Sequence, residues 1–125
     1  MTGDELETLA KNLYDRWRET LTPEEQIDNR SWFYAGDRRR ATYKELAALV
    51  LRYCVINPFI KPDEFSVKLD GDKWCVLLGP DLQRGVAGFA TTSGQAMSAF
   101  RNALLVEISP TANIIFRQWL EEIGE

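Results

Sequence analysis

The spacing of apolar residues switches from helical to alternating and back again along this chain, and the switches limit the folds open to it. Up to residue 56 apolar side chains return every three or four positions, whereas from Phe65 they alternate. In "GDELETLAKNLYDRWRETL", Leu6, Leu9, Leu13, Trp17 and Leu21 make one stripe, which predicts an amphipathic helix capped by Asp4. "TPEEQ" predicts a short second helix: Thr22 caps, Pro23 suits the first position and Glu25 completes a capping box. In "SWFYAGDRRRATYKELAALVLRYCVI" a dense aromatic cluster precedes a break at Ala35, Gly36 and Asp37. Thr42 and Glu45 repeat the capping-box pattern, so a third helix is expected to begin near Thr42. Pro58 and Pro62 close this helical half, residues 1–56.

The alternating region, residues 64–90, reads as a meander. Phe65, Val67 and Leu69 face one way and Ser66 and Lys68 the other, "DGDK" supplies an Asp-Gly turn, and "WCVLL" returns as a more buried strand. After "GPDLQRG", "VAGFA" is the expected third strand. Gly79 and Gly85 bracket a turn, Gly88 thins a strand where backbone or a helix is expected to approach closely, and Gly94 falls in a first helical turn. "TTSGQAMSAFRNALLVEI" puts Ala96, Met97, Phe100, Leu104 and Ile108 on one helical face, with Thr92 or Ser93 as cap. Ser109 and Pro110 restart a last helix with Ile115, Phe116, Trp119 and Ile123 inward, so that helices fill residues 92–123. The expected fold class is α+β: a three-stranded antiparallel β-meander packed against N-terminal helices and two C-terminal helices. At 125 residues, 45% of them hydrophobic, the chain is expected to form a single domain, 1–125.

Much enzyme chemistry is excluded by composition. With no histidine and two cysteines, common zinc sites and histidine-dependent triads cannot be assembled. Cys54 and Cys75 lie in apolar runs and read as buried thiols rather than a disulfide. "DGD" at 70–72 lacks the remaining ligands of a calcium loop, since Trp74 stands where the third ligand belongs. The neighbours Asp63 and Glu64, like Glu121 and Glu122, read as surface charge, because adjacent helical carboxylates do not share a face. Ser93 has neither the nucleophile-elbow glycines nor a histidine, and the glycines of "GPDLQRGVAGFATTSGQAMSAF" match neither phosphate-loop pattern. "GVAG" has KH-loop spacing but carries valine and alanine where polar residues belong. No catalytic residue, cofactor or metal site is therefore expected. No apolar run reaches membrane-span length and the N-terminus lacks signal-peptide features, so a cytoplasmic location without membrane partners is expected.

Read as a unit, "CVLLGPDLQRGVAGFATTSGQAMSAFRNALLVEI" resembles the core of HicB-type antitoxins and similar small phage-encoded proteins. Pro80, Asp81 and Leu82 match the family's turn, Gly88, Thr91 and Thr92 its cap region and Ala96 its helical alanine, while Gln95 replaces the usual glutamate. The resemblance covers residues 65–108. It implies a sheet-and-helix fold fragment and a regulator that acts by binding another protein. The family usually begins with this sheet and continues into a DNA-binding segment, whereas this chain carries about sixty helical residues in front.

The binding residues that stand out are Arg38, Arg39, Arg40 and Lys44, with Trp32 and Tyr34 just upstream and Arg30 nearby. Clustered cations neutralise phosphates and aromatics stack on unpaired bases. The same residues also read as a solvated turn above an aromatic core, which the net charge of −4 favours. "RRAT" has the form of a basic-directed kinase site, although capping already accounts for Thr42. The expectation is a non-enzymatic protein-binding module, an inhibitor or regulator, docking through a sheet edge or its aromatic-rich helical face. The alternative is a nucleic-acid-binding module using Arg38 to Arg40, and a sheet edge could also support a homo-oligomer.

Overall fold

The computed structural model describes residues 3–108. Helix α1 (Gly3–Arg18) leads into α2 (Pro23–Asp28), a 3-10 turn at Trp32–Tyr34 and the long helix α3 (Asp37–Ile56). A second 3-10 turn at Pro62–Glu64 opens the sheet: β1 (Phe65–Asp70), β2 (Lys73–Leu78) and β3 (Val86–Ala90), followed by α4 (Ser93–Ile108). Strand order is β1-β2-β3, antiparallel throughout, so the expected α+β meander is present. The expected last helix, with Ile115, Phe116, Trp119 and Ile123, lies outside the described residues. No helix among the described residues is long and apolar enough to cross a membrane.

The register explains the core. Phe65 opposes Leu78 and Val67 opposes Val76 across β1 and β2, while Val76 opposes Gly88 and Leu78 opposes Val86 across β2 and β3. Because side chains alternate along strands, these residues share the sheet face that α4 covers with Ala96, Phe100 and Leu104. The Phe65 and Phe100 rings meet edge to face with centroids 5.6 Å apart. Each such large side chain, once buried, contributes about 1.5–3 kcal/mol. Gly88 sets how close the layers come: a Cβ there would lie 2.1 Å from the Phe100 nitrogen and 2.6 Å from the Ala99 carbonyl carbon. The expectation of close approach at Gly88 therefore holds, and the contact is backbone against backbone. The opposite sheet face carries Cys75, Leu77, Ala87 and Phe89, the last 43% exposed.

The helical half supplies the aromatic part of the same core. Tyr14 meets Tyr43 edge to face at 5.1 Å, with Trp32 and Trp17 each 5.8 Å from its ring. The Tyr14 hydroxyl donates to the Arg30 carbonyl, and the Arg16 guanidinium reaches the Phe65 carbonyl, tying α1 to the connector on one side and to the sheet on the other.

Local signals succeeded where nothing competed with them. Thr22 and Glu25 form the full capping box of α2. Thr92 Oγ1 accepts from the Gln95 amide at 3.2 Å, which makes Thr92 rather than Ser93 the cap of α4. Two expectations need correction. Asp4 sits inside the first turn of α1 rather than ahead of it. Helix α3 begins five residues before Thr42, at Asp37, with Gly36 (φ 87°) as its N-cap, and the Thr42 hydroxyl donates to the Arg38 carbonyl one turn back. That angle lies in the left-handed region that glycine enters freely, so Gly36 starts the helix and Thr42 is an interior residue. Cys54 and Cys75 are free, as expected, but half-buried rather than enclosed. Desolvation pushes the Cys54 thiol up to about 11, with Glu64 adding to it, and raises Cys75 as well.

Candidate functional site

Helices α3 and α4 pack together, and their first turns bound a cleft of about 870 Å³. Helix α3 contributes Arg38, Arg39 and Thr42, α4 contributes Gly94, Ser98 and Arg101, α2 contributes its last residue Asp28, and the connector from α2 to α3, residues 29–36, contributes Arg30 and Tyr34. Trp17 of α1 and Met97 of α4 also line it. The connector is placed by main-chain tethers. Besides the Tyr14 bond to Arg30, the Arg18 Nε donates to the Asn29 carbonyl at 2.6 Å and the Gln26 amide nitrogen donates to the Arg18 and Leu21 carbonyls. The Thr20 and Ser93 hydroxyls, 3.0 Å apart, join the end of α1 to the start of α4.

The arginines hold different posts. Arg39 Nη1 donates to Asn29 Oδ1 while its guanidinium lies 5.8 Å from the Trp17 ring centroid, a cation–π arrangement. Arg101 is held by Glu45 of α3, a pair 56 residues apart in sequence. Arg30 and Arg38 are exposed, and no partner for their guanidinium groups is found among the described residues. The cleft thus gathers four arginines against two aspartates in a chain whose net charge is −4. In its wall, the Trp17 Nε1 donor is buried without an acceptor among the described residues. A buried donor left unmatched costs about 1–3 kcal/mol.

The structure divides the six residues singled out in the sequence. Arg38, Arg39 and Tyr34 line the cleft, and Tyr34 is 72% exposed. Trp32 does not belong with them: it is 3% exposed and packs on Tyr14, so stacking on a base would pull it from the core. Arg40 is turned to Asp37 at 2.8 Å, and Lys44 lies 4.0 Å from Glu7 of α1, outside the cleft lining. Their positions correct the picture of one continuous basic run, because successive helical residues point about 100° apart. The sequence reading missed Arg101 and Ser98. Nothing local marks them, since they reach the cleft only through the packing of α4 on α3. Phe33, also 72% exposed, stands beside Tyr34 on the 3-10 turn.

Among the described residues no group of three histidine, cysteine or acidic side chains could hold a metal ion. In the cleft, burial raises the pKa of Tyr43 beyond its ordinary value, with nearby Tyr14 adding to the effect, which keeps the phenol neutral. The arrangement is suited to holding an anionic group against cations and aromatic walls. Compared with family models, characterised proteins and solved structures, the chain matches none.

Proposed function

We propose that the chain is a non-enzymatic protein-binding module, a regulator or inhibitor, that docks an acidic part of its partner into the cleft between the first turns of α3 and α4. The observation that carries this reading is the concentration of cations and exposed aromatics around one cleft of an acidic chain: Arg30 and Arg38 without partners among the described residues, beside Phe33 and Tyr34. Arginine and tyrosine are the residues from which docking hot spots are commonly built. A local positive cleft on a negative body steers an acidic epitope and repels other faces of the same partner. The resemblance of residues 65–108 to HicB-type antitoxins supports the same reading, since that family's core belongs to regulators that act by binding a protein.

Nucleic-acid binding is the second reading, favoured by the adjacent exposed rings of Phe33 and Tyr34. It is the weaker one, because Arg39 and Arg40 are engaged within the fold and Asp28 and Asp37 line the same cleft. A long polyanion needs a continuous cationic track. Capture from the native host's lysate tests the two together. A specific protein recovered by the wild-type chain and lost with Arg30→Ala plus Arg38→Ala is expected. Recovery of no protein that depends on these residues, or salt-sensitive binding of short RNA or DNA that does depend on them, would overturn the protein-docking reading.

A further inference from the structure

We infer that the group the cleft reads is a phosphate monoester, a phosphorylated side chain of the partner, rather than a carboxylate. The inference rests on the docking reading above and names the chemistry that it recognises. With the ion-pair partners Arg40 and Glu45 included, five arginines stand against Asp28, Asp37 and Glu45 at the cleft, an excess of two positive charges. A phosphorylated side chain carries about −1.5 to −2 at neutral pH and three acceptor oxygens on one centre. A single carboxylate would leave about half of that excess unmatched, and a polyanion would meet the two aspartates.

The donors are suited to the same group. Arg30 and Arg38 offer planar forks that match phosphate oxygens in pairs, and neither has a partner to give up among the described residues. Arg39 and Arg101 are already held in place, the first by Asn29 and the Trp17 ring, the second by Glu45, so their charge is fixed in the wall before a ligand arrives. At about 870 Å³ the cleft is much larger than a phosphate, and Trp17, Tyr34 and Met97 provide apolar surface for the stem of the modified residue.

Isothermal titration of the full chain with four probes tests this: inorganic phosphate, one short peptide bearing phosphoserine or phosphotyrosine, and the same peptide with glutamate at that position. The phosphopeptides are expected to bind at least tenfold more tightly than the glutamate peptide and than inorganic phosphate. Arg38→Ala and Arg30→Ala should each weaken the phosphopeptides about tenfold. Arg38→Lys, which keeps the charge and removes the fork, should fall between, and Lys68→Ala on the far sheet face should change nothing. A preference for phosphotyrosine over phosphoserine would identify the aromatic wall as part of the site, and equal binding would assign recognition to the phosphate alone; both support the inference. Equal or tighter binding of the glutamate peptide overturns it, as does phosphopeptide binding that Lys68→Ala weakens as much as Arg38→Ala. If phosphopeptides fail while capture of the partner still depends on Arg30 and Arg38, the phosphate inference falls and the docking reading stands. If phosphopeptides bind as expected while capture ignores those residues, the docking reading falls instead.

Discussion

Where α4 crosses β3 the two backbones touch through Gly88, and where α4 begins beside α3 the backbones part around a cleft walled by long cationic side chains. The first region is specified by what is absent, a single Cβ, and leaves no slack. The second is held open by polar tethers to main-chain carbonyls and by arginines fixed on a ring or a carboxylate. Stability and binding are therefore expected to separate along the length of one helix, α4, whose middle belongs to the core and whose first two turns belong to the cleft.

The largest effect should come from the tight region. Gly88→Ala puts a carbon within contact of the Phe100 and Ala99 backbone, which cannot move aside as a flexible side chain would, so a loss of about 3 kcal/mol or complete failure to fold is expected in urea denaturation. A fully stable Gly88→Ala chain would show that α4 can ride further from the sheet. Leu104→Ala, in the same layer, should cost about 2–5 kcal/mol by leaving a cavity.

At the boundary of the two regions, Tyr14→Phe removes the hydroxyl that holds the Arg30 carbonyl and should cost about 1 kcal/mol. Because that bond also positions the connector, the variant should bind its partner more weakly, a coupling that Leu104→Ala should not show once the proteins are compared below their unfolding transitions. Arg38→Ala lies at the other extreme. It should change stability by no more than about 0.5 kcal/mol while removing most of the binding.

The smallest effect concerns the thiols. Burial raises Cys54 from 9.0 to about 11 in the folded chain, so its neutral form is favoured by folding. This contribution is complete below the unfolded value near 9 and is lost as the pH rises toward 11, and the raised values of Cys75 and Tyr43 act in the same direction. Urea midpoints should therefore fall between pH 9 and 11, and Cys54 should react with a thiol reagent at pH 8 more slowly than an unperturbed cysteine. A flat profile would mean that these groups are no less solvated folded than unfolded.

The sheet and α4 were legible because their signals are local and agree with one another: alternation in β1 and β2, the Asp-Gly turn, the Thr92 cap and the glycine that lets two backbones meet. The start of α3 was misread because two local signals competed. The Thr42–Glu45 pattern has the form of a cap, yet Gly36 already starts the helix and the Thr42 hydroxyl turns back to Arg38. The cleft was half legible. Arg38, Arg39 and Tyr34 stood out by their neighbours in sequence, whereas Trp32 could be assigned to the core only through its contact with Tyr14, and Arg101 to the cleft only through the packing of α4. Residue type and spacing give the candidates, and long-range packing decides which of them face one another.

The central claim, that the cleft rather than the outer sheet face or a strand edge receives the partner, is tested most directly by amide hydrogen exchange of the chain with and without its captured partner. Protection is expected at residues 34–39 and 93–98, the turns that bound the cleft, with no change along β1. Protection confined to β1 or to the outer face of β2 and β3, around Cys75 and Phe89, would contradict the account and move the docking surface to the sheet.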